Sequence, residues 1–416
     1  GIHYRILYIV MVWAYGLGWI MSNRIDHAQL SLTIVSPTNI GGPEKLTTKD
    51  YMYNYHTGEV YLLNNYEWFC FLERHNKLAE FESYMQNEMV RSNGRTMYDW
   101  ATHALGKSQL TREVLGPAVR SVMKATAYKQ GLKNSLNDII PQIRGVDGRV
   151  YIPGSSIKGV IDSAIVSYLL RRDARFRAEV QEKLQEILQK YRDFKYDKYH
   201  CKREIDSILR EVNRIIDRNI QVLFKNSTKK VNGILASAFR GISVSDAMSN
   251  NIIQTEVLKK EDAGIDEDGT HAISVNRECI LPNQTLSFTL TLDTAMTKEI
   301  GITSIDQVLE ILQQDFDATH ELLISKFTKV NPSVFKALVP ANAFIGGNTG
   351  FIQKTVIMAA FTDDINKGIE VIRAILDVNF KKAGHDRKDK FMAPRAIKLV
   401  KWNGHYYEMG GLRIGR

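Results

Sequence analysis

The fold prediction starts from one stretch of the chain, Tyr151-Ile152-Pro153-Gly154-Ser155-Ser156-Ile157-Lys158-Gly159-Val160-Ile161-Asp162-Ser163-Ala164-Ile165-Val166-Ser167-Tyr168-Leu169-Leu170-Arg171-Arg172. Pro153 and Gly154 end a short strand, and apolar side chains then recur at helical spacing. We therefore predict a helix that begins within a residue or two of Ser155. The hydroxyl of Ser155 or Ser156 is expected to accept a hydrogen bond from an amide of the first turn.

The first turn of this helix has the chemistry of an anion-binding site. Its backbone N–H groups lack partners within the helix and together carry roughly half a positive charge. Lys158 adds a full positive charge, and Gly159 has no side chain that would keep a phosphate away from the backbone. The same residues also fit an ordinary capped helix with a surface lysine, so both interpretations stay open on this turn alone.

The composition is that of a globular protein with a sizeable core and a positive charge. The 416 residues are 44% apolar and 24% charged, and the formal net charge of +9 favours a polyanionic partner. Residues 381–401 contain eight Lys or Arg against two Asp, a basic strip that points to nucleic acid. Cys70, Cys201 and Cys279 form no Cys-x-x-Cys pair. The sequence thus predicts a reducing cytoplasm and neither a zinc knuckle nor a disulfide framework.

Residues 1–23 form an apolar leader that we predict lies outside the fold. The run from Ile6 to Met21 is almost wholly apolar but short for a membrane span, and it lacks a basic cluster before it and a cleavage site after it. A translation start at Met21 is the simpler interpretation, and a membrane-associated protein is the weaker alternative. We expect no membrane partner and a cytoplasmic location.

Strands, hairpins and helices alternate through the chain without the long βαβ series of a doubly wound fold. Leu30, Leu32 and Ile34 alternate with polar residues, as in a half-buried strand. The dipeptides Asp147-Gly148 and Asn403-Gly404 are typical of hairpin turns. The pattern predicts an α+β fold with antiparallel sheets.

The same pattern suggests two domains and one insertion. We place the N-terminal domain at residues 24–260 and the C-terminal domain at residues 261–416. Within the first, residues 174–225 contain two charged segments that each carry an apolar stripe at helical spacing, so we predict an inserted helical hairpin. The stripes fit ordinary packing, with a subunit contact as the sharper alternative.

A glycine-rich loop in the second half could also approach a phosphate. Gly346, Gly347 and Gly350 stand between an apolar run and Lys354, where a backbone without side chains allows close contact with a ligand. The loop matches neither the Walker pattern nor the dinucleotide-binding pattern. A bulge or a turn is the alternative interpretation.

Five segments, in chain order, carry a resemblance to a known family. They are Pro37-Thr38-Asn39-Ile40-Gly41-Gly42, Tyr151-Ile152-Pro153-Gly154-Ser155-Ser156-Ile157-Lys158-Gly159, Val244-Ser245-Asp246, the glycine loop at 346–355, and Tyr406-Tyr407-Glu408-Met409-Gly410. With them the chain resembles the RAMP superfamily of CRISPR proteins over roughly residues 28–410. Within it, the chain is most similar to the fifth subunit of the type III-A (Csm) effector complex. The resemblance implies two RRM-like, ferredoxin-type domains.

The resemblance also implies a function and a set of RNA contacts. Such subunits hold the 3′ portion of the CRISPR RNA, cap a helical assembly and support guide maturation without cutting, with other Csm subunits and a separate trimming nuclease as partners. Carried over motif by motif, the residues expected to bind RNA are Gly41, Gly42, Lys45, Ser155, Ser156, Lys158, Gly159, Gly346, Gly347, Gly350 and Lys354. The resemblance implies no cofactor, no metal and no catalytic residue.

The alternative function is an endoribonuclease of the same superfamily that processes guide RNA or cuts target RNA. Metal-independent cleavage needs a base for the 2′-hydroxyl, usually His, and the ten histidines show no paired spacing beside the glycine loops. Many relatives have His where this chain has Asn39, and the amide cannot titrate near neutral pH. His385-Asp386 is a lone pair within the basic strip and supplies too few ligands for a metal-dependent site.

Overall fold

Two five-stranded sheets organise the computed structural model of this chain, which describes residues 24–125, 136–224, 234–265 and 270–416. The predicted leader at residues 1–23 lies outside the described residues. Within the described ranges, no helix is both long enough and apolar enough to cross a membrane.

The elements follow one another along the chain as strands that flank clusters of helices. The strands are β1 (Ile25–Ile34), β2 (Tyr51–Asn54), β3 (Glu59–Leu63), β4 (Val119–Lys124), β5 (Ile139–Ile140), β6 (Gln221–Phe224), β7 (Ile234–Ser237), β8 (Ile242–Val244), β9 (Thr255–Gly264), β10 (His271–Ile280), β11 (Thr285–Asp293), β12 (Ala343–Phe344), β13 (Ala396–Trp402), β14 (His405–Glu408) and β15 (Gly411–Gly415). The helices are α1 (Asn65–Arg74), α2 (Leu78–Asn87), α3 (Met97–Ala104), α4 (Arg112–Leu115), α5 (Gly154–Arg172), α6 (Ala174–Phe194), α7 (Lys198–Ile220), α8 (Thr294–Thr297), α9 (Ile305–Lys326), α10 (Pro332–Lys336), α11 (Phe351–Lys354), α12 (Ile357–Ala360), α13 (Ile365–Asn379) and α14 (His385–Lys388).

The sheets are almost entirely antiparallel. The first sheet has the order β12-β15-β1-β11-β8. The second has the order β14-β13-β9-β10-β5, in which only the short β10–β5 pair is parallel. A smaller sheet joins β2, β3 and β4. The predicted α+β class with antiparallel sheets is confirmed.

Strand β1 shows how the sequence pattern produces the core. Leu30, Leu32 and Ile34 are buried on one face of the first sheet, because alternate side chains of a strand point to the same side. They belong to one apolar cluster with Ile157 and Ile161 of α5. This packing fixes α5, and with it the Pro-Gly-Ser-Ser turn, against the first sheet.

Both large sheets take strands from either side of the predicted domain boundary at residues 260/261. In the first sheet β1 pairs with β11 over nine residues and with β15, and in the second sheet β9 itself spans the boundary. The two predicted units therefore share their sheets. The division into two RRM-like domains stays a prediction.

The predicted helical insertion at residues 174–225 is present as α6 and α7, while residue 225 lies outside the described residues. Its two apolar stripes face each other and α13. Val180, Leu184, Ile205 and Val212 are all buried in that cluster. In the described part of the chain these stripes serve ordinary core packing.

Local predictions have mixed outcomes. The hairpin at Asn403-Gly404 is confirmed, but the Asp147-Gly148 turn is flanked only by a single bridge between Arg144 and Val150. Strand β10 was not predicted, because Asn276, Arg277 and Glu278 interrupt its apolar alternation.

A buried carboxylate in β10 joins the second sheet to the loop around residue 142. Glu278 is 0% exposed and accepts two hydrogen bonds from the Arg144 guanidinium, at 2.7 and 2.5 Å. It also accepts from the Gln142 N–H at 2.9 Å and from the Thr255 hydroxyl at 2.7 Å. Because four donors surround it, the charge is tolerated inside the protein.

Replacing Arg144 should test how much the fold depends on this carboxylate. Arg144→Met leaves Glu278 buried without its cation, so we expect the free energy of unfolding to fall by about 3 kcal/mol. Chemical denaturation measures the change. Arg112→Met, at an exposed arginine on α4, is the matched control and should shift stability by less than about 0.5 kcal/mol. Equal losses for both variants would contradict the assignment.

Candidate nucleic-acid interface

Helix α5 begins two residues earlier than it would if Ser155 were its N-cap residue. Its first residue is Gly154, Pro153 occupies the N-cap position, and no side chain of the N-cap residue accepts a hydrogen bond. The Gly154 N–H instead donates to the Asp246 carboxylate at 2.7 Å. The prediction that Ser155 or Ser156 caps the helix is therefore wrong, because a carboxylate from the Val244-Ser245-Asp246 segment already neutralises this end.

Gly154 is required by the same contact. A Cβ atom there would lie 2.4 Å from the Val244 carbonyl oxygen and 2.7 Å from that of Ser245. Both atoms belong to backbone, so they have little freedom to withdraw. The two motifs were found separately in the sequence, but in the structure they contact each other where α5 packs against the end of β8.

Lys158 and Gly159 point to different sides of α5, since successive helical residues are about 100° apart. The Lys158 ammonium donates to the Phe239 carbonyl oxygen at 2.7 Å and lies 3.3 Å from the Asp162 carboxylate. A Cβ on Gly159 would meet nothing within 4 Å. The open side of the first turn therefore lies at Gly159, while Lys158 is held by the protein itself.

The glycine loop at residues 346–350 docks against the loop that contains Asn39. Gly346 has φ of +87°, and a Cβ there would lie 2.2 Å from the Asn39 carbonyl oxygen. That oxygen also accepts a hydrogen bond from the Gly347 N–H at 2.7 Å. Gly346 satisfies both the backbone conformation and the close approach, which no residue with a side chain could do.

Asn39 is a buried structural amide. It is 0% exposed, its Oδ1 accepts from Arg277 Nη1 at 2.8 Å, and its Nδ2 donates to the Glu278 carbonyl oxygen at 2.7 Å. An amide with these bonds cannot exchange a proton with a ligand. The sequence indicated only that this chain lacks the imidazole of many relatives. The structure shows that the amide in its place bonds to Arg277 and to the backbone of Glu278.

The Tyr406–Gly410 segment joins the same cluster. The Gly410 N–H donates to the Pro37 carbonyl oxygen at 3.0 Å, and the Gly410 carbonyl accepts from the Ile345 N–H at 2.9 Å. Asn348 Nδ2 lies 2.9 Å from Met409 Sδ. Three segments that are far apart along the chain thus pack against one another.

A cavity of about 380 Å³ lies between the start of α5 and this cluster of loops. Four predicted site residues line it, namely Ser156, Gly159, Gly346 and Lys354. Asp315 and Thr319 of α9 complete its wall and were not predicted. No motif marks these two residues, so the sequence offered no signal for them.

The other predicted site residues are not brought into this cavity. Gly41 is bridged to Gln142 and lies beside Arg277, whose guanidinium also crowds Gly347. Lys45 forms an ion pair with Asp138 at 2.7 Å and lines a separate cavity. The remaining members, outside the cavity wall, are Gly42, Ser155, Lys158 and Gly350.

Two cations beside the glycine loops have disfavoured charges. Burial lowers the pKa of Lys354, and the nearby Arg277 guanidinium lowers it further. Burial also lowers the pKa of Arg277. An anion placed between them would offset both effects. Arg277 was missed from the sequence because it belongs to no motif and to a strand that was not predicted.

This chain is similar to known proteins in both sequence and structure. The CRISPR system Cms protein Csm5 of Mycobacterium tuberculosis, in strains CDC 1551 / Oshkosh and H37Rv, is 24% identical over 409 residues, which cover 94% of this chain and 97% of that protein. A chain in the cryo-EM structure of a Csm-crRNA-target RNA ternary complex from a type III-A CRISPR-Cas system matches with a TM-score of 0.60 at 19% identity, over 93% of this chain and 99% of that chain. The crystal structure of T. onnurineus Csm5 matches with a TM-score of 0.54 at 14% identity, over 92% and 99%.

These similarities establish a shared fold, and the family follows from a match to its sequence model. The model of the RAMP superfamily matches residues 31–312, more than half of the 416-residue chain. The matched range contains the last four residues of β1, the Pro-Gly-Ser-Ser turn, and the strands β9 and β10 of the second sheet. The resemblance that the motifs suggested is confirmed, and the chain belongs to the RAMP superfamily.

Proposed function

We propose that this chain is a subunit of a type III-A CRISPR interference complex that binds CRISPR RNA without cutting it. We further propose that it caps the 3′-end side of the complex and supports crRNA maturation. Its partners would be the CRISPR RNA, other Csm subunits and a separate trimming nuclease. Its similarity to Csm5, and to a chain in a Csm complex that contains crRNA, supports this proposal.

The single observation that carries the proposal is the cavity shared by α5 and the glycine loop. Gly159 leaves the backbone of α5 uncovered on one side of it, Gly346 lines the other side, and Lys354 brings a cation to its wall. A stretch of backbone that a ligand can approach closely, beside a cation, suits a phosphodiester better than a base edge. Contacts of this kind carry no sequence information, as a protein that holds many different guides requires.

The nearest carboxylates favour binding over cutting. Asp315 is the carboxylate in the described cavity wall, and its Oδ1 is bonded to Arg171 at 3.0 Å. Glu408 is 1% exposed, and Gln353 donates to one of its oxygens. A general base must reach the 2′-hydroxyl directly or through one water. Glu408 is buried too deeply for this, and the Asp315 carboxylate is held by Arg171.

Changes in the cavity should weaken RNA binding without altering sequence preference. We expect Lys354→Ala to lower the affinity for unrelated guide sequences about fivefold, and Gly159→Glu to lower it more because it adds a negative charge. Fluorescence anisotropy at several salt concentrations measures both effects. If about five phosphates are neutralised, the wild-type slope of log affinity against log salt is about −3.5, and Lys354→Ala makes it shallower by about 0.7.

Three matched variants serve as controls for this experiment. Gly159→Gln adds a side chain of the same size without charge, and Lys107→Ala removes an exposed lysine from the loop between α3 and α4. Lys158→Ala should weaken binding less than Lys354→Ala, because the Lys158 ammonium is already bonded within the protein. Loss of binding for only some guide sequences would argue against a backbone contact.

A cleavage assay separates the proposal from the endoribonuclease alternative. End-labelled guide RNA, incubated with the purified protein with and without Mg²⁺, should be bound and recovered at full length. Asp315→Asn is the informative variant, since Asp315 is the carboxylate nearest to the bound strand in the proposed arrangement. Products that form with the wild type and disappear with Asp315→Asn would establish the alternative.

Glu408 should affect stability and its pH dependence rather than catalysis. Burial raises the pKa of Glu408 to about 7. Because the folded protein then binds a proton that the unfolded chain has released, stability falls as pH rises from about 4.5 to about 7 and is constant above that. We expect the free energy of unfolding of Glu408→Gln to exceed that of the wild type by about 3 kcal/mol at pH 8 and to equal it at pH 4. The RNA affinity should be unchanged. Thermal unfolding across this pH range provides the measurement, and a gap that widened toward low pH would contradict it.

A further inference from the structure

A second basic groove lies at the far end of the second sheet, away from the glycine loops. It has a volume of about 550 Å³ and is lined by the ends of β9 and β10 together with Arg387, Lys388, Lys390 and Arg395. These four cations belong to the segment 386–395, here called the basic loop. The proposed contacts at the glycine loops involve none of them.

The basic loop is held in a fixed shape from within. Asp389 is 0% exposed, and its two oxygens are bonded to His385 Nδ1 at 2.6 Å and to Arg395 Nη1 at 2.9 Å. The Arg395 carbonyl accepts from the Ile265 N–H at 2.8 Å, which ties the loop to the end of β9. His385 therefore pairs with Asp389 and not with its neighbour Asp386, and the pair supports the loop.

The charge on the groove side of the loop is positive and accessible. Lys388 and Lys390 are exposed, and no ion pair joins either of them to a residue within the described ranges. Of the carboxylates nearby, Asp262 accepts from Lys398 at 2.9 Å through one oxygen, and the exposed Asp386 lies 3.9 Å from Arg387.

An aromatic ring accompanies these cations. Phe391 is 62% exposed, although Asp389 and Arg395 on either side of it are held by hydrogen bonds. An exposed ring beside cations is the combination that single-stranded nucleic acid uses, with phosphates on the cations and a base stacked on the ring. An acidic protein surface would need the cations but not the ring.

A row of cations on one face of the second sheet links the groove to the glycine loops. Arg277 lies opposite Leu258 on β9, and Lys260, Asp262 and Gly264 follow on the same face. Lys398 stands beside Asp262 on β13. Burial, together with the nearby Lys398, lowers the pKa of Lys260 to about 8. From Leu258 to Gly264 the strand covers about 20 Å.

We infer that a single RNA strand runs from the glycine loops across this sheet face to the basic loop, where Lys388 and Lys390 bind its phosphates and Phe391 stacks on one base. The inference rests on the proposed function and extends its site to a second, separate groove. The cations follow one another along the face, as contacts to a continuous chain would. The sheet spans the distance between the glycine loops and the basic loop.

Two double variants test the phosphate contacts. Lys388→Ala/Lys390→Ala removes two lysines from the groove, and Lys381→Ala/Lys382→Ala removes two exposed lysines from the same basic strip but outside the groove. With an RNA of about 20 nucleotides, the first should lower affinity about tenfold and make the salt slope shallower by about 1.4. The second should change affinity less than about twofold. Equal effects of the two double variants would overturn the inference.

The stacking contact has its own test. Phe391→Ala should lower the affinity for the same RNA about fivefold or more with an unchanged salt slope, and Phe391→Trp should retain it. Tyr196→Ala, at a ring that is 92% exposed on the turn between α6 and α7, is the control and should have no effect. A loss that is equal for both rings would overturn the assignment of Phe391.

The same measurements distinguish failure of this inference from failure of the proposed function. If Lys354→Ala weakens binding while Lys388→Ala/Lys390→Ala matches its control, the strand does not reach the basic loop and only the inference fails. If the wild-type protein binds no RNA, the proposed function fails with it. If the groove variant loses affinity for poly-L-glutamate but not for RNA, the groove takes an acidic protein and the inference is overturned.

Discussion

The arrangement of the whole site depends on one buried amide, Asn39. Its carbonyl oxygen fixes Gly347, its side-chain oxygen fixes Arg277, and its side-chain nitrogen fixes the backbone of Glu278. The amide therefore joins the first loop, the glycine loop and the second sheet within one hydrogen-bonded group. An unpaired donor or acceptor at this depth would be costly, so the three segments have little freedom to separate. Many relatives have a titratable ring at this position. In this chain the position is occupied by an amide that supports the fold.

A second constraint decides where an anion can approach α5. The tip of a helix is the usual anion site, but here the Asp246 carboxylate already accepts from Gly154. A phosphate at the tip would meet a like charge. The side of the first turn, at Ser156 and Gly159, faces the glycine loop and Lys354 across the cavity. The protein thus directs a ligand to the flank of the helix and leaves the tip for its own strand connection.

The parts of the structure that sequence patterns predicted are those that local periodicity controls. Apolar spacing was sufficient for α5 and the insertion, and the Asn403-Gly404 dipeptide was sufficient for the last hairpin. Strand β10 was missed because its central residues are polar for reasons that lie elsewhere in the chain, since Arg277 bonds to Asn39 and Glu278 to Arg144. The motifs correctly named the segments that meet. The motifs could not show which face of α5 is turned toward the glycine loop. The sequence therefore did not reveal that Lys158 lies outside the cavity and Gly159 inside it.

The electrostatics of the second sheet explain why such a surface would favour an anionic strand over an isolated ion. Arg277, Lys260 and Lys354 are each partly buried, and burial disfavours the charge of all three. Carboxylates could have neutralised them, but in the described structure the nearby Asp262 is shared with Lys398 and Glu408 is bonded to Gln353. The desolvation of these cations therefore lowers the stability of the protein. A phosphate chain would offset part of that free-energy cost at each cation. A single ion could relieve only one site, whereas a continuous polyanion relieves all of them for one loss of translational freedom.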